Sequence, residues 1–116
     1  MFLKLAHTKK EIFTISKSLT IACYAVTKQF PTEEKFAMTS QIRRAALSVH
    51  LNIAEGCSRK SETERKRYFE ITRGSVIEVD TALDIAQALN YVSSAQLQLV
   101  GNLIIEAFKQ LRGLIK

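Results

Sequence analysis

Two kinds of phosphate chemistry are open to the polar side chains of this sequence. The stretch "RAALSVH" places Arg44 six residues before His50, and such a pair could combine proton transfer by His with charge stabilisation by Arg. A cluster of cations, which we call the turn cluster, comprises Arg59, Lys60, Arg65, Lys66 and Arg67. A cluster of this kind is typical of contacts to a nucleic-acid backbone that do not depend on base sequence.

A further set of polar residues is threaded among small and apolar ones on both sides of the turn cluster. Glu78 falls on an apolar stripe, where a carboxylate would be partly desolvated and would need a partner. If the second and third helices pack antiparallel, Arg43 or Arg44 lies at the same level along the helix axis as Glu78. We therefore expect a bidentate Arg–carboxylate pair. We interpret the set as a signature of helix register and subunit contact rather than of catalysis; it comprises Gln41, Arg43, Arg44, Asn52, Glu55, Gly74, Ser75 and Glu78.

Three members of this signature carry specific expectations. Asn52 is expected to hydrogen-bond across a pair of helices, and Glu55 to pair with Arg59 four residues further on. Gly74 would cost about 1 kcal/mol relative to Ala in the middle of a helix. Small residues opposite Gly74 would let two backbones approach closely, and that packing would offset the cost.

Four segments with helical periodicity must position these side chains. Apolar residues recur at three- and four-residue spacing within the ranges 12–30, 38–56, 69–86 and 97–114. Ser61 and Ser93 each open the pattern of a capping box, which predicts the start of a helix. Asn90 is a predicted helix end, and Gly56 is predicted to end its helix in the left-handed conformation.

The connections between these segments are short, which favours antiparallel neighbours. The sequence therefore predicts an all-α protein with a single domain, residues 1–116, folded as an antiparallel up-down-up-down four-helix bundle. The third and fourth helices carry apolar residues beyond one stripe, such as Ile71, Ile85 and Leu103. A monomeric bundle needs only one stripe per helix, so we expect the surplus to form an interface in a homo-oligomer.

Composition and motifs exclude several classes of protein. The net charge of +6 permits attraction to nucleic acid without requiring it. No segment approaches the roughly 20 apolar residues that cross a bilayer, and the N-terminal stretch lacks the pattern of a signal peptide. Cys23 and Cys57 have neither metal nor disulfide-framework spacing. Phosphate-binding loops, dinucleotide turns and nucleophile elbows are missing from the sequence. We therefore expect a cytoplasmic protein with no catalytic residues, metal, cofactor or membrane partner.

Two segments resemble the signature blocks of the 23S ribosomal RNA intervening-sequence protein family: "TSQIRRAALSVHLNIAEGCSR" and "RYFEITRGSVIEVDTAL". The combination of Q-x-x-R-A-A, N-I-A-E-G and G-S-x-x-E carries the likeness, which extends from Phe30–Pro31 to Leu89–Tyr91. The chain departs from the family pattern in having no Trp, and in having His50 and Leu51 before "NIAEG". The family commonly has Pro and a small residue at those two positions.

The resemblance implies a bacterial protein, and no established enzymatic activity comes with the family. Members of that family form bundles that assemble into a ring, typically a pentamer, with a basic surface suited to nucleic acid. Relatives serve as accessory proteins to reverse transcriptases in diversity-generating retroelements, so a protein partner of that type is also implied.

Three functional interpretations remain open. The first is a non-enzymatic scaffold associated with nucleic acid, with RNA the first candidate, that binds through the turn cluster. The second is an adaptor for a protein partner, whose contact would survive high salt if it is apolar. The third is a ribonuclease, because the Arg44–His50 spacing resembles the R-x(4–6)-H motif of HEPN ribonucleases, although Ala45 stands where a polar residue commonly follows the Arg.

Overall fold

The computed structural model describes residues 10–116 and contains four α-helices, with no strand in that range. The helices are α1 (Glu11–Thr27), α2 (Met38–Ser58), α3 (Glu62–Ala88) and α4 (Gln98–Ile115), and a 3-10 turn covers Thr32–Glu34. The prediction of an all-α protein with four helices is confirmed. The expectation for the N-terminal stretch concerns residues that lie largely outside the described range.

Local hydrogen bonds explain where α3 begins and ends. The Ser61 hydroxyl accepts a bond of 3.3 Å from the backbone N–H of Glu64, which confirms the predicted cap. Asn90 follows the helix with a φ of 63°, the left-handed conformation that an Asn tolerates. The predicted box at Ser93 also forms, since the Ser93 N–H donates to Gln96 Oε1 at 2.9 Å, but α4 begins only at Gln98.

The predicted apolar stripes form one core to which all four helices contribute, except that Leu114 at the end of the fourth stripe is exposed. In α3 every member of the predicted stripe is buried, from Phe69 to Ala86. Leu19, Ile42 and Leu111 of the other three helices have no exposed surface. Burying a side chain of this size stabilises a fold by about 1.5–3 kcal/mol, so these contacts are the main source of stability.

The order of helices around the core follows from their contacts. Within the described residues the backbones of α1 and α2, α2 and α3, α3 and α4, and α4 and α1 approach each other closely, and those of the diagonal pairs do not. Ser48 of α2 meets Ser75 of α3, and Gly56 of α2 meets Phe69 of α3. Residue numbers rise along α2 while those of their partners fall along α3, so these two helices run in opposite directions.

Two outer faces of the bundle carry exposed apolar side chains. The α2–α3 face presents Leu51 and Ile71, which are 55% and 45% exposed. The α1–α4 face presents Ile21 and Leu99, which are 60% and 61% exposed. Because α1 and α4 lie across the core from α2 and α3, these faces are on opposite sides of the molecule.

Candidate nucleic-acid interface at one end of the bundle

The turn cluster lies at the connection between α2 and α3, as predicted. The start of α1 and the end of α4 lie at the same end, because Lys10, Cys57, Arg65 and Leu114 line one cavity. This adds three cations that the sequence analysis did not assign. We call the whole group the basic end; it comprises the turn cluster with Lys10, Arg112 and Lys116.

A topological argument could have found these additional cations. In a bundle of four helices that alternate in direction, the start and the end of the chain lie at the same end of the bundle as the second connection. Lys10 and Arg112 are distant in sequence from the turn cluster, so they do not belong to the local run of cations that the sequence shows.

The side chain of Arg59 binds to two neighbouring side chains of the same chain. Its Nη2 donates to Glu55 Oε2 at 2.7 Å and to the Tyr68 hydroxyl at 3.2 Å, so the predicted Glu55–Arg59 pair is confirmed. The guanidinium lies 5.1 Å from the centroid of the Tyr68 ring. Tyr68, with Glu55 adding to its effect, raises the pKa of Arg59 above its usual value. Arg59 therefore remains charged but is partly committed to neighbouring side chains.

Arg65 stabilises the turn itself. Its Nη1 donates to the carbonyl oxygens of Arg59 at 3.0 Å and Lys60 at 2.7 Å. These carbonyls follow the end of α2, where no helical N–H remains to bind them. Arg65 thus closes the connection between the two helices, a structural role that its sequence position did not indicate.

The remaining members of the turn cluster are more available to a ligand. Lys66 Nζ lies 3.5 Å from Glu62 Oε1 in an ion pair at the surface, which contributes little to stability. Lys60 and Arg67 are exposed, and neither forms an ion pair within residues 10–116.

The predicted pairing of Glu78 with Arg43 or Arg44 is wrong within this chain. Glu78 is exposed and accepts a hydrogen bond from Gln41 Nε2 instead. Arg43 turns towards α1, where its Nε donates to Thr27 Oγ1 at 2.8 Å. Positions 41 and 43 point about 160° apart around a helix, so only Gln41 can face α3. Arg44 is exposed and forms no ion pair with any of the described residues.

Asn52 and Ser75 belong to one hydrogen-bonded row. Asn52 Nδ2 donates to the Ser48 carbonyl at 2.9 Å and to Ser48 Oγ at 3.0 Å. The Ser48 and Ser75 hydroxyl oxygens are 3.1 Å apart. The direct bond of Asn52 across the helix pair was therefore predicted wrongly, because Ser48 provides the link to α3.

The predicted roles of two glycines are also wrong. Gly56 has no left-handed conformation and lies inside α2, which continues to Ser58. A Cβ at Gly56 would lie only 2.8 Å from Phe69 Cε1. A Cβ at Gly74 would meet nothing within 4 Å. The close approach between α2 and α3 therefore occurs at Gly56, against an aromatic ring rather than small residues.

Arg44 and His50 do not form a common site within one chain. His50 Nδ1 is 2.7 Å from Ser16 Oγ, and the His50 ring centroid is 4.4 Å from that of Phe13. The His50 ring therefore faces α1. A spacing of six residues separates two side chains by about 120° around a helix, which leaves Arg44 exposed on another side of α2.

Metal sites and membrane-spanning helices are two further features that a helical bundle can contain. The described residues include no group of three His, Cys, Asp or Glu side chains that could hold a metal ion. Within the same part of the chain, none of the helices is long and apolar enough to cross a membrane.

The fold and the site define a class, the helical-bundle proteins with a cationic end. More particularly, a family model described as 23S rRNA-intervening sequence protein matches residues 8–113, and the chain belongs to that family. A crystal structure of a protein with unknown function from the S23 ribosomal protein family of Bacteroides thetaiotaomicron is similar, with a TM-score of 0.80 and 21% sequence identity. The match covers 90% of this chain and 98% of that chain, and it shows a shared fold. A comparison with curated proteins finds no match.

Proposed function

We propose that this protein is a non-enzymatic, cytoplasmic scaffold that binds nucleic acid, with RNA the first candidate, and assembles with further copies of itself. The observation that carries the proposal is the gathering of cations from the ends of α1, α3 and α4 and from the α2–α3 turn. The name of the family, which refers to 23S ribosomal RNA, supports RNA as the ligand.

The exposed cations of the basic end account for the binding. Lys60, Arg67, Arg112 and Lys116 are exposed, whereas Arg59 and Arg65 hold the turn in shape. Exposed cations that replace the counterions of a phosphate backbone produce affinity that falls steeply with salt. We expect little preference for base sequence from this surface alone.

The two apolar faces support self-association. They lie on opposite sides of the bundle and differ in their residues, so one copy would bind the next through unlike surfaces. Such heterologous contacts close into a ring when the rotation between copies permits it. We infer an up-down-up-down bundle in a ring, and the family resemblance favours five copies. A ring would repeat the basic end and make RNA binding multivalent.

The test is RNA retardation at low salt with two variants of equal charge. The triple variant Lys60→Gln, Arg67→Gln, Arg112→Gln removes exposed cations of the basic end. The control variant Lys17→Gln, Lys28→Gln, Lys35→Gln removes three elsewhere, and each variant changes the net charge from +6 to +3. We expect the first variant alone to bind RNA much more weakly, with a salt slope smaller by about one for each phosphate that is no longer neutralised. Equal binding by the two variants would overturn the proposal.

An adaptor for a protein partner is the second candidate. It is favoured by an apolar groove of about 410 Å³ between α1 and α4, with Ile21, Leu99 and Leu103 in its lining. A contact made there would persist at high salt, because the burial of apolar surface does not depend on charge. Measuring the mass of the assembly in solution with and without RNA would distinguish self-association from RNA binding.

A further inference from the structure

A cavity of about 410 Å³ opens among the helix termini at the centre of the basic end. Lys10, Arg65 and Lys66 supply the cations of its lining, and Phe69 and Leu114 supply apolar surface. Its volume falls within the range of roughly 300–1,000 Å³ that is typical of small-molecule sites.

We propose that this cavity takes a single unstacked nucleotide, with the phosphate against the cations and the base against the apolar surface. The nucleotide is either a free 5′-monophosphate or one residue of an RNA strand. The inference rests on the proposed function, and it adds a specific point of contact to a surface that otherwise recognises only charge.

The charge of the lining suits a phosphate monoester. Glu62 is the one carboxylate among the described residues of the lining, so three cations and one anion give those residues a net charge of +2. A phosphate monoester carries about −1.5 to −2 at neutral pH, which nearly balances that charge, whereas the singly charged phosphodiester of a strand balances about half of it. Arg65 uses Nη1 for two backbone carbonyls, and its guanidinium has further N–H donors for a phosphate.

The apolar part of the lining favours a nucleotide over a bare anion. Inorganic phosphate would leave the exposed part of the Leu114 side chain uncovered, whereas a base would cover it. RNA-binding proteins commonly receive unpaired bases that have left the stack, and they hold these bases against apolar or aromatic side chains. The cavity provides such a place beside the cations that would hold the strand.

Cys57 supplies a native reporter, because it lines the cavity and is half-buried. Burial raises the pKa of the Cys57 thiol, while Lys10 and Arg65 act in the opposite direction. The thiol is therefore largely protonated at neutral pH, so mildly alkaline buffer is needed for alkylation. Cys23 has no exposed surface and serves as an internal control that reacts only on unfolding.

The experiment measures the rate of Cys57 alkylation by N-ethylmaleimide in the full chain. Uridine and adenosine 5′-monophosphates are compared with the nucleosides, with inorganic phosphate and with a short single-stranded RNA. We expect a monophosphate to slow alkylation several-fold, and the nucleosides and phosphate to slow it much less. Protection by RNA at lower concentrations than by monophosphates identifies a strand as the source, and protection by monophosphates alone identifies a free nucleotide.

Two results would overturn the inference. One is an alkylation rate that neither monophosphates nor RNA change; the other is protection by inorganic phosphate equal to that by monophosphates, which would indicate a bare anion site. RNA retardation without protection of Cys57 rejects the cavity and leaves the proposed function intact. Protection by monophosphates without RNA retardation rejects the proposed function and leaves the cavity.

A pair of variants tests whether the protection of Cys57 from alkylation arises from a ligand in this cavity. Leu114→Glu places a carboxylate in the lining, and Ile105→Glu places one on the same helix outside it. Both side chains are exposed, at 39% and 55%, so neither change disturbs the core. The ratio of alkylation rates with and without monophosphate should approach one in Leu114→Glu and stay at the parent value in Ile105→Glu. Equal ratios in the two variants would contradict the assignment.

Discussion

The ring of Phe69 lies directly against Gly56, and it is this pair that sets the distance between α2 and α3 near their connection. A Cβ at Gly56 would lie 2.8 Å from Phe69 Cε1 and 3.1 Å from the Cβ of Tyr68. Gly74 has open space on its Cβ side. A Cβ would therefore clash at Gly56 and find open space at Gly74, although both glycines lie inside helices.

Replacing each glycine by alanine should change stability in opposite directions. Gly56→Ala gains helix propensity of about 1 kcal/mol but overpacks the core at a cost of about 1–3 kcal/mol, so we expect a net loss. Gly74→Ala gains propensity without a clash and should stabilise the protein by about 0.5–1 kcal/mol. Urea denaturation of both variants measures the difference. A stabilised Gly56→Ala would show that the Phe69 ring moves aside freely.

Replacement of Arg65 should weaken the turn more than replacement of its exposed neighbour. Arg65→Met keeps the aliphatic part of the side chain but removes both bonds to the carbonyls of Arg59 and Lys60. We expect a decrease in stability of about 1–2 kcal/mol, because a charged donor forms strong hydrogen bonds and this one is partly exposed. Lys60→Gln is the control and should stay within about 0.5 kcal/mol of the parent. Equal decreases in chemical denaturation would argue against the structural role of Arg65.

A double-mutant cycle should find no interaction between Arg43 and Glu78. Arg43 donates to Thr27 and Glu78 accepts from Gln41, so the two changes to Ala should add within about 0.3–0.5 kcal/mol. A parallel cycle of Arg43→Ala and Thr27→Val is the positive control and should give a clear coupling energy. Coupling between Arg43 and Glu78 as large as in the control would restore the pair that the sequence analysis predicted.

The protein should show no metal-independent ribonuclease activity that depends on His50. The ring of His50 is engaged with Ser16 and Phe13, and Arg44 lies on another side of α2. RNA cleavage by the parent, Arg44→Ala and His50→Ala should therefore equal the background rate. Circular dichroism establishes that His50→Ala is folded in the assay. Cleavage by the parent that disappears in both variants would support the HEPN-like interpretation.

Stability should decline with rising pH above 9 partly because of Cys23. Burial raises the pKa of this thiol from 9.0 to about 12. Between these values the unfolded chain releases the proton and the folded chain retains it, so ionisation favours unfolding. Denaturation at several pH values should give a shallower decline in Cys23→Ala than in the parent, since the other titrating groups are common to both. Parallel curves would contradict this assignment.

The helices were predictable because their signals are local. The apolar stripe from Phe69 to Ala86, the cap at Ser61 and the left-handed Asn90 each depend on the spacing or chemistry of neighbouring residues. The Glu55–Arg59 pair was predictable for the same reason, because residues four apart lie on one side of a helix. Contacts between helices are less predictable: Gly56 lies inside α2 rather than at its end, and Glu78 accepts a hydrogen bond from Gln41 rather than from an arginine.

The sequence by itself determined how many helices form and which side of each is buried, since a repeat near 3.6 residues is a property of one helix alone. Only the tertiary structure decided that Arg43 turns to α1 and that Arg65 closes the turn. These relationships depend on the rotation and register of one helix against another. A shift of two residues along a helix moves a side chain about 160° around the helix axis. The partner of a long polar side chain is therefore decided only when packing of the core has fixed the rotation and the register of both helices.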